Sequence, residues 1–223
     1  MSNTKLVVFD IAGTIVEDGG EVLTALAGAF KQSGVACSAD ELKEWKGASK
    51  REVISHFLRR QAGRQPPSKE AVERTYRAFR GELEGLYRKR LNPVPGAVET
   101  FEWCRKRGVL LATTTGFDRE IRDLIVERMG WREFFVANVS GSDVKRGRPA
   151  PFMIFRAMEA AGIADASEVA NVGDTPLDLQ AGSNAGVRKV VGVLTGAHSR
   201  ERLEREPHTH ILPSVAELPS LLD

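Results

Sequence analysis

The chain has 223 residues, of which 42% are hydrophobic and 28% charged, and a formal net charge of +2. That length supports one sizeable core, or one core with a smaller appendage, and the balance of residue types is that of a soluble globular protein. A near-neutral charge gives no basis for binding nucleic acid or an anionic membrane, and no run approaches the roughly 18 apolar residues of a membrane span. The stretches "LRRQAGR" and "LYRKRL" are locally basic, but acids are interspersed nearby, so they read as solvated helix faces. Cys37 and Cys104 have neither metal-ligand spacing nor a disulfide framework, which suits reduced thiols in the cytoplasm. The opening "MSNTKLVVFD" lacks the charged region and apolar segment of a signal peptide.

In chain order, the first element is a short apolar run over residues 6–10 that ends in Asp10. It has strand length and turn residues behind it. Residues 17–91 then carry a different pattern. "EVLTALAGAFKQSG", "SADELKEW", "SKREVISHFLRRQAG" and "SKEAVERTYRAFRGELEGLYRKRL" all have helical period, and none reads as a buried strand. "GRQPPS" interrupts the block and "NPVPG" ends it.

From residue 93 onward, helix and strand alternate. "GAVETFEWCRKRG" puts Val98, Phe101 and Cys104 on one stripe, with Gly108 at the expected stop. Strands are predicted at 109–114, 135–139, 169–172 and 189–193. Their apolar runs are nearly continuous, as for strands buried on both faces of a parallel sheet. "PAPFMIFRAMEAAG" starts near Pro149 and Pro151 and stops at Gly162. The fold class is α/β. A Rossmann-like parallel sheet core is expected over residues 1–16 and 92–223, with a helical cap domain over 17–91 inserted after the first strand. The insertion would lie above the carboxyl edge of the sheet, where open α/β folds bind ligands.

Further chemistry-bearing clusters follow the later strands. "LLATTTGF" brings Thr113, Thr114 and Thr115 ahead of Gly116, "VKRGRPAP" brings Lys145, Arg146 and Arg148, and "NVGDTPLD" brings Asp174 and Asp178. Each has a plain structural reading: a turn aspartate, β-branched strand residues, a surface cation, and a helix start capped by Thr175 with Asp178 closing a capping box. A parallel sheet would gather them at one edge, and together they make a phosphoryl-transfer site. A carboxylate can attack phosphorus and split the reaction in two steps. A hard divalent cation offsets the repulsion between carboxylate and phosphate. Hydroxyls, amides and a cation hold the remaining oxygens.

On these motifs the chain resembles the haloacid dehalogenase superfamily of hydrolases over nearly its whole length. The resemblance implies Asp10 as nucleophile, Mg²⁺ bound by Asp10, the Ala12 carbonyl and Asp174 with support from Asp178, and phosphate held by Thr115 and the Gly116 amide. Arg148 stands where lysine is usual.

Most phosphatases and mutases of that superfamily carry aspartate two residues after the nucleophile, to protonate the leaving group and activate water. Here the residue is Ala12. A leaving group that needs no such proton is a carbanion delocalised through a lysine imine, as in cleavage of a phosphorus–carbon bond. In "KGASKREVISHF", the Ser49–Glu52 spacing predicts a capping box with Lys50 at the first helical position. The helix dipole, Arg51 and partial burial would each lower its pKa. Lys50 as an ordinary solvated first-turn residue is the alternative on spacing alone.

"DIAGT", "TTTGF", "GRPAP" and the glycine before Lys50 resemble the phosphonoacetaldehyde hydrolase (phosphonatase) family, which has alanine, arginine and a Schiff-base lysine at the positions of Ala12, Arg148 and Lys50. The chain departs from that pattern at Ile11, Val53 and Phe117, where the family has tryptophan, histidine and tyrosine. The departures bear on the aldehyde end of the substrate. The resemblance therefore implies a small phosphonate or phosphate as substrate, and it admits a homodimer. Three functions compete: a phosphonatase-like hydrolase, a phosphatase for a small monoester resembling phosphoglycolate or a sugar phosphate, and a non-catalytic protein that kept the fold. In the second, Lys46 and Lys50 would only bind phosphate. His208–His210 reads as a solvated turn leading into a short strand, His198 as a loop or helix-start residue, and His56 is left without a role.

Overall fold

The computed structural model describes residues 4–63, 65–196 and 198–222. The apolar run Leu6–Phe9 forms strand β1, buried at every position. It is followed in the sheet by β2 (Leu110–Thr115), β3 (Ala137–Ser140), β4 (Val169–Gly173), β5 (Lys189–Val193) and β6 (His210–Leu212). All six strands pair in parallel, in the order β3-β2-β1-β4-β5-β6. The chain leaves β1 to build one wing through β2 and β3, then returns to β4 for the other. The carboxyl ends of β1, β2 and β4 therefore border the crevice of a doubly wound sheet.

The continuous apolar character of β1 follows from cover on both faces. Val7 and Phe9 share a core with Phe101 of helix α5 (Ala97–Lys106, described below with its neighbours), whereas Leu6 and Val8 share one with Met153, Ile154 and Ala157. Phe101 meets the rings of Phe9, Trp131 and Phe135 at 5.6, 5.2 and 5.1 Å, the first three edge-on contacts of an aromatic nucleus under the sheet. Phe135 joins that nucleus instead of the sheet, so β3 starts two residues later than the apolar run predicts.

Four helices lie between β1 and α5: α1 (Glu21–Gln32), α2 (Ala39–Lys43), α3 (Lys50–Gln61) and α4 (Lys69–Lys89). Along α4, Tyr76, Phe79, Leu83 and Tyr87 recur every three or four residues and form one buried stripe. That stripe faces the buried side of α1, which carries Val22, Leu26, Ala29 and Phe30. Starts are set locally: Ser38 and Glu41 close a capping box at α2, and Ser68 accepts the Ala71 N–H at α4. On the sheet side, α6 (Arg119–Arg128) follows β2, α7 (Phe152–Ala161) packs on β1, β2 and β3, and α8 (Pro176–Ala185) packs on β4 and β5. Short helices α9 (Arg200–Leu203) and α10 (Leu218–Leu222) complete the chain. As expected, α5 and α7 stop at Gly108 and Gly162, both with positive φ. Among the described residues no helix is long and apolar enough to cross a membrane.

Phe101 ties β1 to the aromatic nucleus, so Phe101→Ala should lower the unfolding free energy by about 3–5 kcal/mol. Urea denaturation measures this, and a loss below about 1 kcal/mol would mean the nucleus repacks around the cavity.

Candidate active site

Parallel register brings the strand ends together. Phe9 pairs with Thr113 on one side and Val172 on the other, and the Asp10 N–H donates to the Val172 carbonyl at 2.8 Å. Asp10, Thr115 and Asp174 therefore emerge at the same edge, with Asp178 in the first turn of α8. Asp10, Asp174 and Asp178 are all buried and each offers an oxygen within 4.8 Å of the others. The Asp174 carboxylate accepts from the Thr14 hydroxyl at 3.1 Å. It sits in a glycine cradle: a Cβ on Gly13 would lie 2.6 Å from its Oδ2, and one on Gly196 only 1.8 Å. Asp178 accepts from the Thr175 N–H and hydroxyl at 3.1 and 2.6 Å, which completes the capping box read from the sequence.

Arg148 is the buried cation of the cluster, whereas Lys145 and Arg146 are exposed. Its Nη1 lies 2.7 Å from Asp10 and 2.8 Å from Asp178, as charge contacts and not aligned hydrogen bonds. Its Nη2 donates to the carbonyl and hydroxyl of Thr114 at 3.0 and 2.7 Å. Burial works against the guanidinium charge, but Asp178 and Asp10 outweigh it and hold its pKa above the usual value. Burial, then Asp10 and Asp178, push Asp174 well above the ordinary carboxylate range. Burial raises Asp178 to about 6 against the pull of Arg148. One guanidinium faces three carboxylates, so the cluster carries unneutralised negative charge. A hard divalent cation fits that need and that all-oxygen donor set.

Lys50 is the first residue of α3, as its spacing predicts, but the expected capping box is not formed. Ser49 makes no side-chain cap and Glu52 is exposed, while Lys50, Val53 and Ile54 are buried. Nor is Lys50 solvated. It is 5% exposed, donates to the Ala48 carbonyl at 2.9 Å, and lies 5.5 Å from the centre of the Phe117 ring. Burial lowers its pKa to about 8, Asp10 and Asp18 oppose this, and Arg148 and Lys46 add to it. Arg51, the expected source of that repulsion, is not among the groups that act on Lys50. In the structure Arg51 is occupied by Glu73, with Nε–Oε1 at 2.6 Å.

Asp10, Ala12, Lys50, Thr115, Gly116 and Phe117 line one cavity of about 30 Å³, together with Asp18 and Lys46. At about 10–15 Å³ per water, it holds two or three solvent-sized groups. Asp18 and Lys46 form a buried ion pair at 2.5 Å in its wall. The sequence shows both residues but nothing of their pairing. Thr14 and Thr114 likewise gain roles that only side-chain direction reveals. The seam between α3 and the sheet edge is close: a Cβ on Gly47 would lie 2.5 Å from the Thr175 hydroxyl, and one on Gly116 2.6 Å from the Ala48 carbonyl. The histidines lie elsewhere. His56 is exposed and packs at a tilt against Trp45, with ring centres 4.5 Å apart, and His208 and His210 are exposed, with β6 beginning at His210 as expected. His198 is half-buried, its Nε2 lacks a partner, and burial lowers its pKa.

Comparison with known proteins gives a match to the haloacid dehalogenase-like hydrolase family model over residues 7–193. The phosphonoacetaldehyde hydrolase of Bacteroides fragilis is 30% identical over 229 residues, covering 96% of this chain and 84% of that protein. A bifunctional phosphonoacetaldehyde hydrolase/aminoethylphosphonate transaminase of Clostridioides difficile is 31% identical, and the match covers 83% of this chain but only 31% of that longer protein. Among solved structures, one described as a predicted phosphoglycolate phosphatase from Haemophilus somnus superposes with a TM-score of 0.82 at 21% identity, covering both chains fully.

The depressed Lys50 pKa is measurable without substrate. In protein labelled at lysine Cε, one resonance should titrate near pH 8, and it should vanish in Lys50→Met. The sign of the linked stability follows. Between about pH 8 and 10.5 the unfolded chain holds a proton that folded Lys50 has lost, so stability gains from this residue as pH rises through that window. Titration of every lysine near its ordinary value would contradict the burial of Lys50.

Proposed function

Because the chain belongs to the haloacid dehalogenase-like hydrolases, we propose that it cleaves the phosphorus–carbon bond of a small phosphonate bearing a carbonyl, with phosphonoacetaldehyde as the reference substrate. The observation that carries this reading is Lys50, buried with a lowered pKa in the same cavity as Asp10, where position 12 is alanine. In this reading residues 17–91 are the cap and residues 1–16 and 92–223 the core.

Neutral Lys50 attacks the carbonyl carbon, and loss of water gives a protonated imine. Asp10 attacks phosphorus, the P–C bond breaks, and its electron pair moves onto carbon to form an enamine. The iminium nitrogen is the electron sink, so no acid is needed at position 12. Protonation at carbon and hydrolysis free Lys50, and water hydrolyses the aspartyl-phosphate on Asp10. The Thr115 hydroxyl accepts the Phe117 N–H at 3.2 Å, which leaves its own proton for a phosphonyl oxygen, and the Gly116 amide would hold another. Arg148 fixes Asp10 and offsets its charge. Mg²⁺, held by Asp10, the Ala12 carbonyl and Asp174 with Asp178 behind them, would offset repulsion between the carboxylate and the phosphonyl oxygens.

A phosphatase for a small monoester is the second reading. Lys46 and Lys50 favour it, because both line the cavity and could hold phosphate. Ala12 weighs against it. The substrate is a small molecule in either case, and the free thiols Cys37 and Cys104 suit a cytoplasmic setting. The homodimer remains an expectation from the resemblance.

Incubation with phosphonoacetaldehyde followed by borohydride should leave a two-carbon adduct on Lys50, located by mass spectrometry, with trapping increasing as pH climbs through about 8. Turnover without an adduct would eliminate the imine. Lys50→Arg should abolish P–C cleavage while keeping the charge. A variant that retained activity would mean Lys50 only binds phosphate. Chelation should remove activity and Mg²⁺ restore it, and undiminished turnover in chelator would refute a metal-dependent reaction. Steady-state assays on phosphate esters separate the two readings.

A further inference from the structure

Lys50, Gly116 and Phe117 also line a second cavity, of about 80 Å³, which Asp10 does not reach. Tyr76 and Asp118 form its inner wall and are 1% and 4% exposed. The Tyr76 hydroxyl and Asp118 Oδ2 are both buried without a hydrogen-bond partner. Asp118 uses its other oxygen to accept the Ile121 N–H at the start of α6. The two groups are near one another, since burial and then Asp118 raise the Tyr76 pKa well above its ordinary value. Their pairing is loose, with no well-aligned hydrogen bond at either atom, so each keeps hydrogen-bonding capacity that a buried polar atom ordinarily spends.

Arg51, which also lines this cavity, contacts both residues. Its guanidinium lies 3.7 Å from the centre of the Tyr76 ring and its Nη1 lies 3.6 Å from Asp118 Oδ2, too long for a hydrogen bond. Tyr76 therefore presents a proton and Asp118 a carboxylate oxygen held only by the long charge contact with Arg51. A ligand hydroxyl satisfies both, accepting from Tyr76 and donating to Asp118. At about 10–15 Å³ per water, 80 Å³ accommodates a substituent of a few heavy atoms.

We infer that this second cavity is a subsite for a hydroxymethyl group on the carbon that Lys50 attacks, so that the substrate class includes hydroxymethyl ketones of the type 3-hydroxy-2-oxopropylphosphonate. The inference rests on the imine reading of Lys50. An aldehyde carbon carries one carbon substituent, whereas a ketone carbon carries two. The phosphonomethyl arm lies toward Asp10 and the hydroxymethyl arm enters the second cavity across Lys50. The step balances as before. Lys50 displaces the ketone oxygen as water, Asp10 takes phosphorus, and the P–C electron pair forms the enamine. Two waters then release hydroxyacetone and phosphate.

The test compares 3-hydroxy-2-oxopropylphosphonate with 2-oxopropylphosphonate, which differs only in lacking the hydroxyl. Phosphate release should give a kcat/KM ratio of about tenfold or more in favour of the hydroxyl, the size expected of hydrogen bonds to buried polar groups. In Tyr76→Phe the ratio should fall toward one. Asp118→Asn, which keeps a helix-capping side chain, should also shrink it and guards against a folding defect in the first variant. A ratio near one in the unaltered protein, cleavage of phosphonoacetaldehyde but of neither ketone, or a ratio unchanged by both variants would each overturn the subsite. If no phosphonate at all is cleaved, the P–C reading has failed separately. The subsite is then judged by calorimetric binding of dihydroxyacetone phosphate against acetol phosphate, which also differ by that one hydroxyl. A preference lost in Tyr76→Phe upholds it, and equal affinities refute it.

Discussion

The buried contact of Arg148 with Asp10 and Asp178 is the interaction on which the rest of the site depends. Three carboxylates at the end of a parallel sheet repel one another, and burial deprives them of the water that would screen that repulsion. Arg148 reaches the cluster from the loop after β3, and the Thr114 carbonyl and hydroxyl fix its orientation. Withdrawal of such a buried partner typically costs about 3–5 kcal/mol, because the charges it served remain. The guanidinium still leaves the carboxylates crowded, and the crowding is felt most at Asp174, where burial and then Asp10 and Asp178 disfavour the charged form. The polypeptide thus holds together a set of groups whose net charge suits a divalent cation, while the sheet and the glycines around Asp174 keep those groups from moving apart.

Much of this could be read from the chain because it depends on backbone direction. Apolar runs buried on both faces predict parallel strands, and parallel strands must present their ends at one edge. Asp10, Thr115, Arg148, Asp174 and Asp178 could be singled out on that ground together with the motif resemblance. The Thr175–Asp178 box was legible because a capping box is a local pattern with fixed spacing. The same pattern misled at Ser49 and Glu52. There Ser49 makes no side-chain cap, and Lys50, Val53, Ile54 and Phe57 form the buried face of the helix. Local spacing cannot report which side of a first turn is buried.

What the chain concealed are contacts that depend on side-chain direction across large sequence separations. Asp18 and Lys46 are ordinary charged residues in the sequence, yet they pair in the cavity wall. The sequence anticipates the direction of the Lys50 pKa and its main cause, burial, but not the charges that act on it. Arg51, its neighbour in sequence, is drawn away by Glu73, while Arg148, nearly a hundred positions distant, supplies repulsion. Tyr76 and Asp118 carried no signal at all. Tyr76 belongs to the apolar stripe of α4 and Asp118 to a helix cap, and only the cavity between them suggests a second use for either.

The glycine seam has a steric consequence. At Gly47 and Gly116 the backbone lies so close to Thr175 and Ala48 that neither position has room for a side chain. The two missing side chains thereby decide how near the segment before α3 comes to the ends of β2 and β4, and so how near Lys50 comes to Asp10.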